Sequence, residues 1–428
     1  MTREAQPARS HTATRDEVPS GWGLRCHGCG REPDGAFPDY CSRCGFPVEL
    51  LDKRFDRSYA TNAAARPTQR GMARFEPYLP LRTSHSGLSV GEGDTPLVTL
   101  PGTGAAVGLP GLLAKLESLN PSGSFKDRAA FVGVARAVET DATTVVCASS
   151  GNAAGSVAMY AARAGLRAVI TIPEGVSPGK VSVCRAHGAI VLSVRGDYSA
   201  SFQLARELSQ ANRWPNLSTT FVNPFCVAGL STVAYELRDQ STRPIDCVVV
   251  PVGAGPLLQG VYAGYRMLED AGLVPGVPRL VAAQSARCAP IVRAFESGRD
   301  EVEAWSGPVG PVSGLNDALR GYPGDGTVTL RAVRATGGFA VGVDDDEIRS
   351  AAASMATKDG VFVEPAAAVP VAAVAKLVGM DSLDAGSRVV CLATGHGLKS
   401  RVEEADGPTV AVDDLADAQR ALERFDVP

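Results

Sequence analysis

No apolar run in the chain reaches the roughly 18 residues needed to cross a bilayer. Even the Ala/Val-rich segment Ala366–Val378 is interrupted by Pro370 and Lys376, so no membrane association is expected. An excess of basic charge is missing too. The 42 Lys and Arg stand against 46 Asp and Glu, a net charge of −4, which removes the electrostatic case for nucleic acid or an anionic lipid surface as a partner. The N-terminus lacks the apolar core of a secretory signal: Met1–Gly21 carries Glu4, Asp16 and Glu17 and reads as a disordered cytoplasmic tail. A disulfide framework is also absent. Of ten cysteines, four cluster in two CxxC knuckles and the others are scattered, Cys147, Cys247 and Cys391 within apolar runs, which fits a reducing compartment. What remains is the composition of a globular enzyme, 45% hydrophobic and 21% charged over 428 residues. That length suggests two to three domains of about 150 residues each. The 46 glycines and 29 prolines predict many tight turns.

The knuckles Cys26-His27-Gly28-Cys29 and Cys41-Ser42-Arg43-Cys44 are eleven residues apart, and each is followed by a glycine, Gly30 or Gly45. A knuckle brings two thiolates to one tetrahedral ion, and glycine permits the left-handed backbone this requires. Cys26, Cys29, Cys41 and Cys44 therefore read as a zinc-ribbon-like module over residues 22–50. With four sulfurs no coordination position is left open, so the metal is expected to be structural. His27 is redundant as a ligand. Residues 51–90 show no sustained period and read as an extended arm over the main body.

From about Gly91 to Ser400, β-branched runs alternate with alanine-rich helical stretches. Candidate strands are Thr144–Ala148, Ala168–Ile172, Ala189–Val194, Thr219–Val222, Asp246–Val252, Arg279–Ala283 and Arg388–Ala393. Candidate helices include Ala153–Ala164, Ser199–Ala211, Ser231–Gln240 and Leu257–Glu269. Near-continuous apolar strands separated by helices predict an α/β fold with parallel sheets covered on both faces. In such sheets ligands sit beyond the carboxyl ends of the strands.

Four turns of that kind carry unusual residues. Asn120-Pro121-Ser122-Gly123-Ser124-Phe125-Lys126 leads into a helix. Lys126 is either a solvated surface group or an amine whose pKa the helix N-terminus lowers, as a Schiff-base nucleophile requires. Ser149-Ser150-Gly151-Asn152 ends a strand with small side chains that let a planar ligand approach, and Asn152 is either an amide donor or an ordinary cap. Gly253-Ala254-Gly255-Pro256-Leu257 follows the most apolar strand and is suited to one phosphate. A dinucleotide turn would need glycine where Leu258 stands, which disfavours NAD. Cys391-Leu392-Ala393-Thr394-Gly395-His396-Gly397 offers the Thr394 hydroxyl to a ligand, with His396 as a capping or packing group.

A lysine, an amide, a phosphate turn and a hydroxyl in this order resemble the fold type II pyridoxal-phosphate enzymes (tryptophan synthase β-like), and the wording is most similar to the threonine synthase family. Gly91-Glu92-Gly93-Asp94-Thr95-Pro96-Leu97 and Gly360-Val361-Phe362-Val363-Glu364-Pro365-Ala366 extend the resemblance over about three quarters of the chain. It implies two parallel-sheet domains, 91–119 with 226–405 as the larger, cofactor-binding one and 120–225 as a smaller mobile one, with 406–428 a C-terminal helix or tail. It implies pyridoxal 5'-phosphate as cofactor, bonded to Lys126, hydrogen-bonded by Asn152, held through its phosphate by Gly253–Leu257 and faced at its pyridine nitrogen by Thr394. Ser149, Ser150, Gly151 and Asn152 would bind the substrate carboxylate. A cytoplasmic homodimer acting on a small amino acid, with or without a phosphate, is the expectation.

The chain departs from the family at two places. Where the family commonly reads Asn-Pro-x-Arg-x-Glu-Gly-Gln-Lys-Thr, this chain has Asn223-Pro224-Phe225-Cys226-Val227-Ala228-Gly229-Leu230-Ser231-Thr232, so two cations near the substrate phosphate are replaced by Cys226 and Ser231. Cys226 is thus either a packing thiol or part of a changed substrate pocket; Lys180, Arg185 or Arg287 are candidate replacements for the missing charge. Pro256 also removes one amide donor from the phosphate turn. The resemblance implies threonine synthase, which makes threonine and phosphate from O-phosphohomoserine and water. The departures leave open a β-replacement synthase on O-phosphoserine or serine. A zinc-module scaffold with a degenerate body is opposed by Lys126, Asn152 and Thr394 standing together.

Overall fold

The computed structural model describes residues 18–33, 39–52, 70–176, 178–400, 410–412 and 414–424. Apolar β-branched runs make three sheets. The first pairs β1 (Trp22–Cys26) with β2 (Val48–Asp52), antiparallel, and carries the cysteine knuckles.

The second has three parallel strands in the order β5 (Thr144–Ala148), β6 (Arg167–Pro173), β7 (Ile190–Val194). The third has six strands, ordered β10 (Phe339–Val343), β9 (Arg279–Ser285), β8 (Cys247–Pro251), β11 (Val389–Leu392), β4 (Leu113–Lys115), β3 (Leu97–Thr99). All neighbours in it are parallel except β3 on β4. Strands β5, β8 and β11 are buried along their whole length. Their sequences accordingly read as unbroken apolar runs, which is how strands covered on both faces read.

The helices follow the strands. α1 (Pro101–Ala106) and α2 (Lys126–Glu139) precede the three-stranded sheet, which carries α3 (Asn152–Arg163), α4 (Pro178–Ala186) and α5 (Tyr198–Asn212). The larger sheet is served by α6 (Pro224–Leu230), α7 (Thr232–Gln240), α8 (Pro256–Asp270), α9 (Pro290–Glu296), α10 (Pro323–Ala335), α11 (Asp345–Asp359) and α12 (Pro365–Gly379), and α13 (Leu415–Glu423) ends the chain. Local chemistry sets several starts. Pro256, Pro323 and Pro365 each occupy a first helical turn, where the missing N–H costs nothing. Asp344 and Glu347 form a capping box on α11. Among the described residues no helix is long and apolar enough to cross a membrane.

Three expectations need correction. Thr219–Val222 is not a strand; Phe221 and Val222 are buried in an irregular segment, and the nearest ladder contact is a single bridge from Asn216 to Val146. Packing rather than pairing explains that apolar run. The sequence does not signal β3 and β4, because three-residue strands carry too little period to read, nor β10, whose apolar run Gly342 interrupts. Within the expected arm, residues 53–69 lie outside the described ones, and Gly71–Tyr78 is a 3-10 helix rather than extended chain. Its Met72 and Phe75, with the following Leu79, are fully buried in the main core.

Candidate active site

The turns after β5, β8 and β11 converge on one cavity of about 540 Å³. Lys126, the first residue of α2, lines it, and its Nζ donates to Thr219 Oγ1 at 2.9 Å and lies 4.4 Å from the centre of the Phe125 ring. Burial is the main cause that brings its pKa from 10.5 down to about 8, against the opposing pull of Glu364 and Asp317. The position at a helix start acts in the same direction. A free amine is thus within reach at mildly alkaline pH.

The lysine turn is stitched to the end of β11. Phe125 N–H donates to Thr394 O at 3.1 Å, Ser124 bridges Gly395, and Thr394 itself is buried at the cavity wall. Asn152, at the start of α3, donates from Nδ2 to Glu364 Oε1 at 2.8 Å. Ser149, Ser150 and Gly151 line the same wall.

Gly253–Leu257 crosses the cavity floor as β8 passes into α8. Its carbonyls are held from behind: Thr329 Oγ1 donates to Ala254 O at 2.6 Å, Gln284 Nε2 to Gly253 O at 3.2 Å and Gln259 N–H to Gly255 O at 3.0 Å. The donors left for a ligand are the amides opening α8. Gly255 has φ +106°, and a Cβ there would collide with the Thr329 side chain, so only glycine serves. An amine of lowered pKa, an amide-rich turn and a buried hydroxyl in one cavity fit pyridoxal phosphate.

Residues 88–395 match the family described as pyridoxal-phosphate dependent enzyme. Threonine synthase of Methanocaldococcus jannaschii is 34% identical over 379 residues, 88% of this chain and 92% of that one. That of Methanosarcina acetivorans is 34% identical over 406 residues, 93% and 97% of the two chains.

The chain belongs to the threonine synthase family of pyridoxal-phosphate-dependent enzymes.

Two solved structures share the fold type II architecture: a maize serine racemase (TM-score 0.62, 22% identity, 86% of this chain and 97% of that one) and the processed form of threonine deaminase isoform 2 from Solanum lycopersicum (0.61, 20%, 77% and 82%). As a family member the chain is a pyridoxal-phosphate-dependent lyase.

Of the two readings of Cys226, burial supports the packing thiol. Cys226 is 3% exposed and does not line the cavity. A Cβ on Gly133 of α2 would lie 2.6 Å from its Sγ, and a Cβ on Gly229 would strike the Arg128 carbonyl. Gly133 and Gly229 thus let α2 and α6 approach closely, and the buried Cys226 thiol fills the contact between them, which favours the packing reading. Ser231 is buried as well, with Oγ donating to Ala228 O at 2.7 Å. Arg185 and Arg287 are not in the cavity wall either; Arg287 pairs with Asp345 at 3.4 Å. The side chain of Lys180 lies outside the described residues.

Among the wall groups that the sequence did not point to are Thr219, Asp317, Arg320, Asp197 and, as a site residue, Glu364. Asp317 accepts from Tyr322 Oη at 2.8 Å and from Leu319 N–H at 3.0 Å, and burial raises its pKa. Only Glu364 carried a signal, standing inside a family-like segment before Pro365; the others come from irregular chain with no motif.

At the N-terminal module the Sγ atoms of Cys26, Cys29, Cys41 and Cys44 all lie within 4.8 Å of one another. Cys26 and Cys44 are 3.4 Å apart and Cys29 and Cys41 3.8 Å, far beyond a disulfide and close to the spacing of thiolates around one tetrahedral zinc. His27 turns aside toward Glu49, 3.8 Å away. The module grips both neighbouring layers. Tyr40 Oη donates to Asp325 of α10 at 3.3 Å, while Arg206 of α5 lies over the Tyr40 ring.

Proposed function

We propose that the enzyme is a threonine synthase, converting O-phosphohomoserine and water to threonine and phosphate. The observation that carries this reading is the meeting of Lys126, Asn152, the Gly253–Leu257 turn and Thr394 in one cavity of a chain similar to threonine synthases over nearly its whole length. Lys126 would hold the cofactor covalently and, once released, move protons between substrate carbons through its Nζ. Gly253–Leu257 would bind the cofactor phosphate through backbone amides, with Pro256 contributing none. Asn152 would turn its amide from Glu364 to the ring oxygen, and the Thr394 hydroxyl would face the ring nitrogen. The bound cofactor supplies an electron sink for charge developing at the substrate α-carbon, and a hydroxyl in place of a carboxylate tempers that sink. Ser149, Ser150 and Gly151 would orient the substrate carboxylate at the start of α3.

Cys226 and Ser231 do not line the cavity, so neither contributes a contact to the substrate there. The test is incubation of the holoenzyme with O-phosphohomoserine, quantifying threonine and released phosphate. Equal amounts of the two are expected. Consumption of O-phosphoserine or serine with no threonine from O-phosphohomoserine would overturn the reading.

The four-cysteine cluster is proposed to hold a structural zinc ion. Cys41→Ser should lower bound zinc from about one ion per chain to near zero and lower the thermal midpoint, while the cofactor's absorbance per folded chain stays unchanged. Elemental analysis beside a melting curve checks this.

A further inference from the structure

Among the described residues of the cavity wall only two side chains are basic, Lys126 and Arg320, whereas Asp197, Asp317 and Glu364 are acidic. If Lys126 is bonded to the cofactor, as the proposed function requires, a second anion entering with the substrate finds one cation there. Carboxylates disfavour it elsewhere in the wall.

Arg320 stands in the loop before α10, and its Nη1 is 3.0 Å from Asp197 Oδ2. Asp197 belongs to the opposite wall: it caps α5, its Oδ1 accepting from Ala200 N–H at 3.2 Å. The pair therefore spans the cavity between the segment bearing the three-stranded sheet and the segment serving the larger one. Both side chains are about half exposed, at 47% and 56%. An ion pair this wet is weak and easily exchanged. A phosphate monoester carries up to two charges and accepts a guanidinium fork at two oxygens, so it outcompetes a single carboxylate for the same arginine.

We propose that Arg320 is the specificity-determining residue that binds the phosphate of a phosphorylated amino-acid substrate, with Asp197 as its resident partner until that phosphate arrives. Arg320 sets the preference for phosphorylated over unphosphorylated amino acids. Asp197 tunes it by competing for the guanidinium. The inference deepens the threonine synthase reading and rests on its placement of the cofactor at Lys126.

The experiment titrates holoenzyme with O-phosphohomoserine and, separately, with L-homoserine, following the visible spectrum of the bound cofactor and requiring no turnover. In Arg320→Ala the dissociation constant for O-phosphohomoserine should rise about 10- to 100-fold, with that for homoserine changed less than about twofold. Arg320→Lys should recover part of the loss. Asp197→Asn, which still caps α5, should tighten O-phosphohomoserine by a few-fold. An Arg320→Ala enzyme that keeps the wild-type ratio of the two constants, or weakens both equally, would overturn the inference. The two proposals fail separately. Threonine formed with an unchanged ratio sinks this one alone, and an Arg320-dependent ratio without threonine sinks only the threonine synthase reading.

Discussion

Replacing Lys126 by alanine should leave a folded protein whose turnover is lower by at least about 10³-fold and which shows no visible absorbance of covalently held cofactor. The fold should survive, because alanine is the best helix former and Lys126 opens α2 without capping it through its side chain. What goes is the amine at the cavity, 2.9 Å from Thr219 Oγ1 and tuned to about 8 mainly by burial. Lys126→Arg should be equally inactive. A guanidinium keeps the charge but does not give up its proton near neutrality, so it cannot act as the nucleophile. The wild-type amine becomes available as pH rises toward about 8. Loading of cofactor into the stripped protein should accelerate over that range and, in Lys126→Ala, lose the covalent signature at every pH. Absorbance after gel filtration, together with circular dichroism for the fold, is the check. Full activity in either variant would remove Lys126 from the chemistry.

The second large effect is on stability. Two residues beyond Lys126, Arg128 turns to the other side of α2 into a network with no solvent access. Its Nε and Nη2 donate to Glu117 at 2.8 and 2.7 Å, and its Nη1 donates to Glu236 at 2.7 Å. Lys115 Nζ donates to the other Glu236 oxygen at 2.5 Å and to Gln240 at 2.9 Å. Two positive and two negative charges thus balance inside the protein and tie β4, α2 and α7 together. Arg128→Met removes one positive charge and strands a carboxylate, a change that costs about 3–5 kcal/mol.

The pH dependence has a definite sign. Burial alone would raise the Glu236 pKa, but Arg128 and Lys115 outweigh it and hold it down to about 2. A depressed carboxylate contributes stability above its ordinary value of 4.5, and that contribution disappears as pH falls through about 2. Urea midpoints should therefore drop for the wild type between those pH values and drop less for Arg128→Met. Equal acid sensitivity in both proteins would show that the network does not stabilise the fold.

What the sequence revealed was what a few consecutive residues can encode. The apolar runs of β5, β8 and β11 and the turns after them were readable because a strand covered on both faces and the glycines that follow are local signals. Asn152, Gly253–Leu257 and Thr394 stand in such turns, Lys126 at the start of a helix after a Pro/Ser/Gly segment, and the folded chain brings them to one cavity. Arg320 and Asp317 belong to an irregular loop, and only tertiary packing carries that loop across to Asp197 and Lys126. Cys226 shows where the motif alone stops: it left a packing thiol and a pocket group both open, and only the close approach of α2 and α6 at Gly133 and Gly229 favours packing.

The order of strands in the six-stranded sheet bears on how the chain is made. β11 lies between β8 and β4, pairing with both, although it is the last strand in the sequence. The β5–β6–β7 sheet, by contrast, is continuous in sequence and can assemble while synthesis is still under way. On the ribosome, then, the edge of β4 that faces β11 keeps its backbone N–H and C=O groups without their partner strand through most of the chain's emergence. A chain ending before Val389 would lack the strand that joins β8 to β4, and with it Thr394 of the cavity wall, so the last part made completes both the larger sheet and the site.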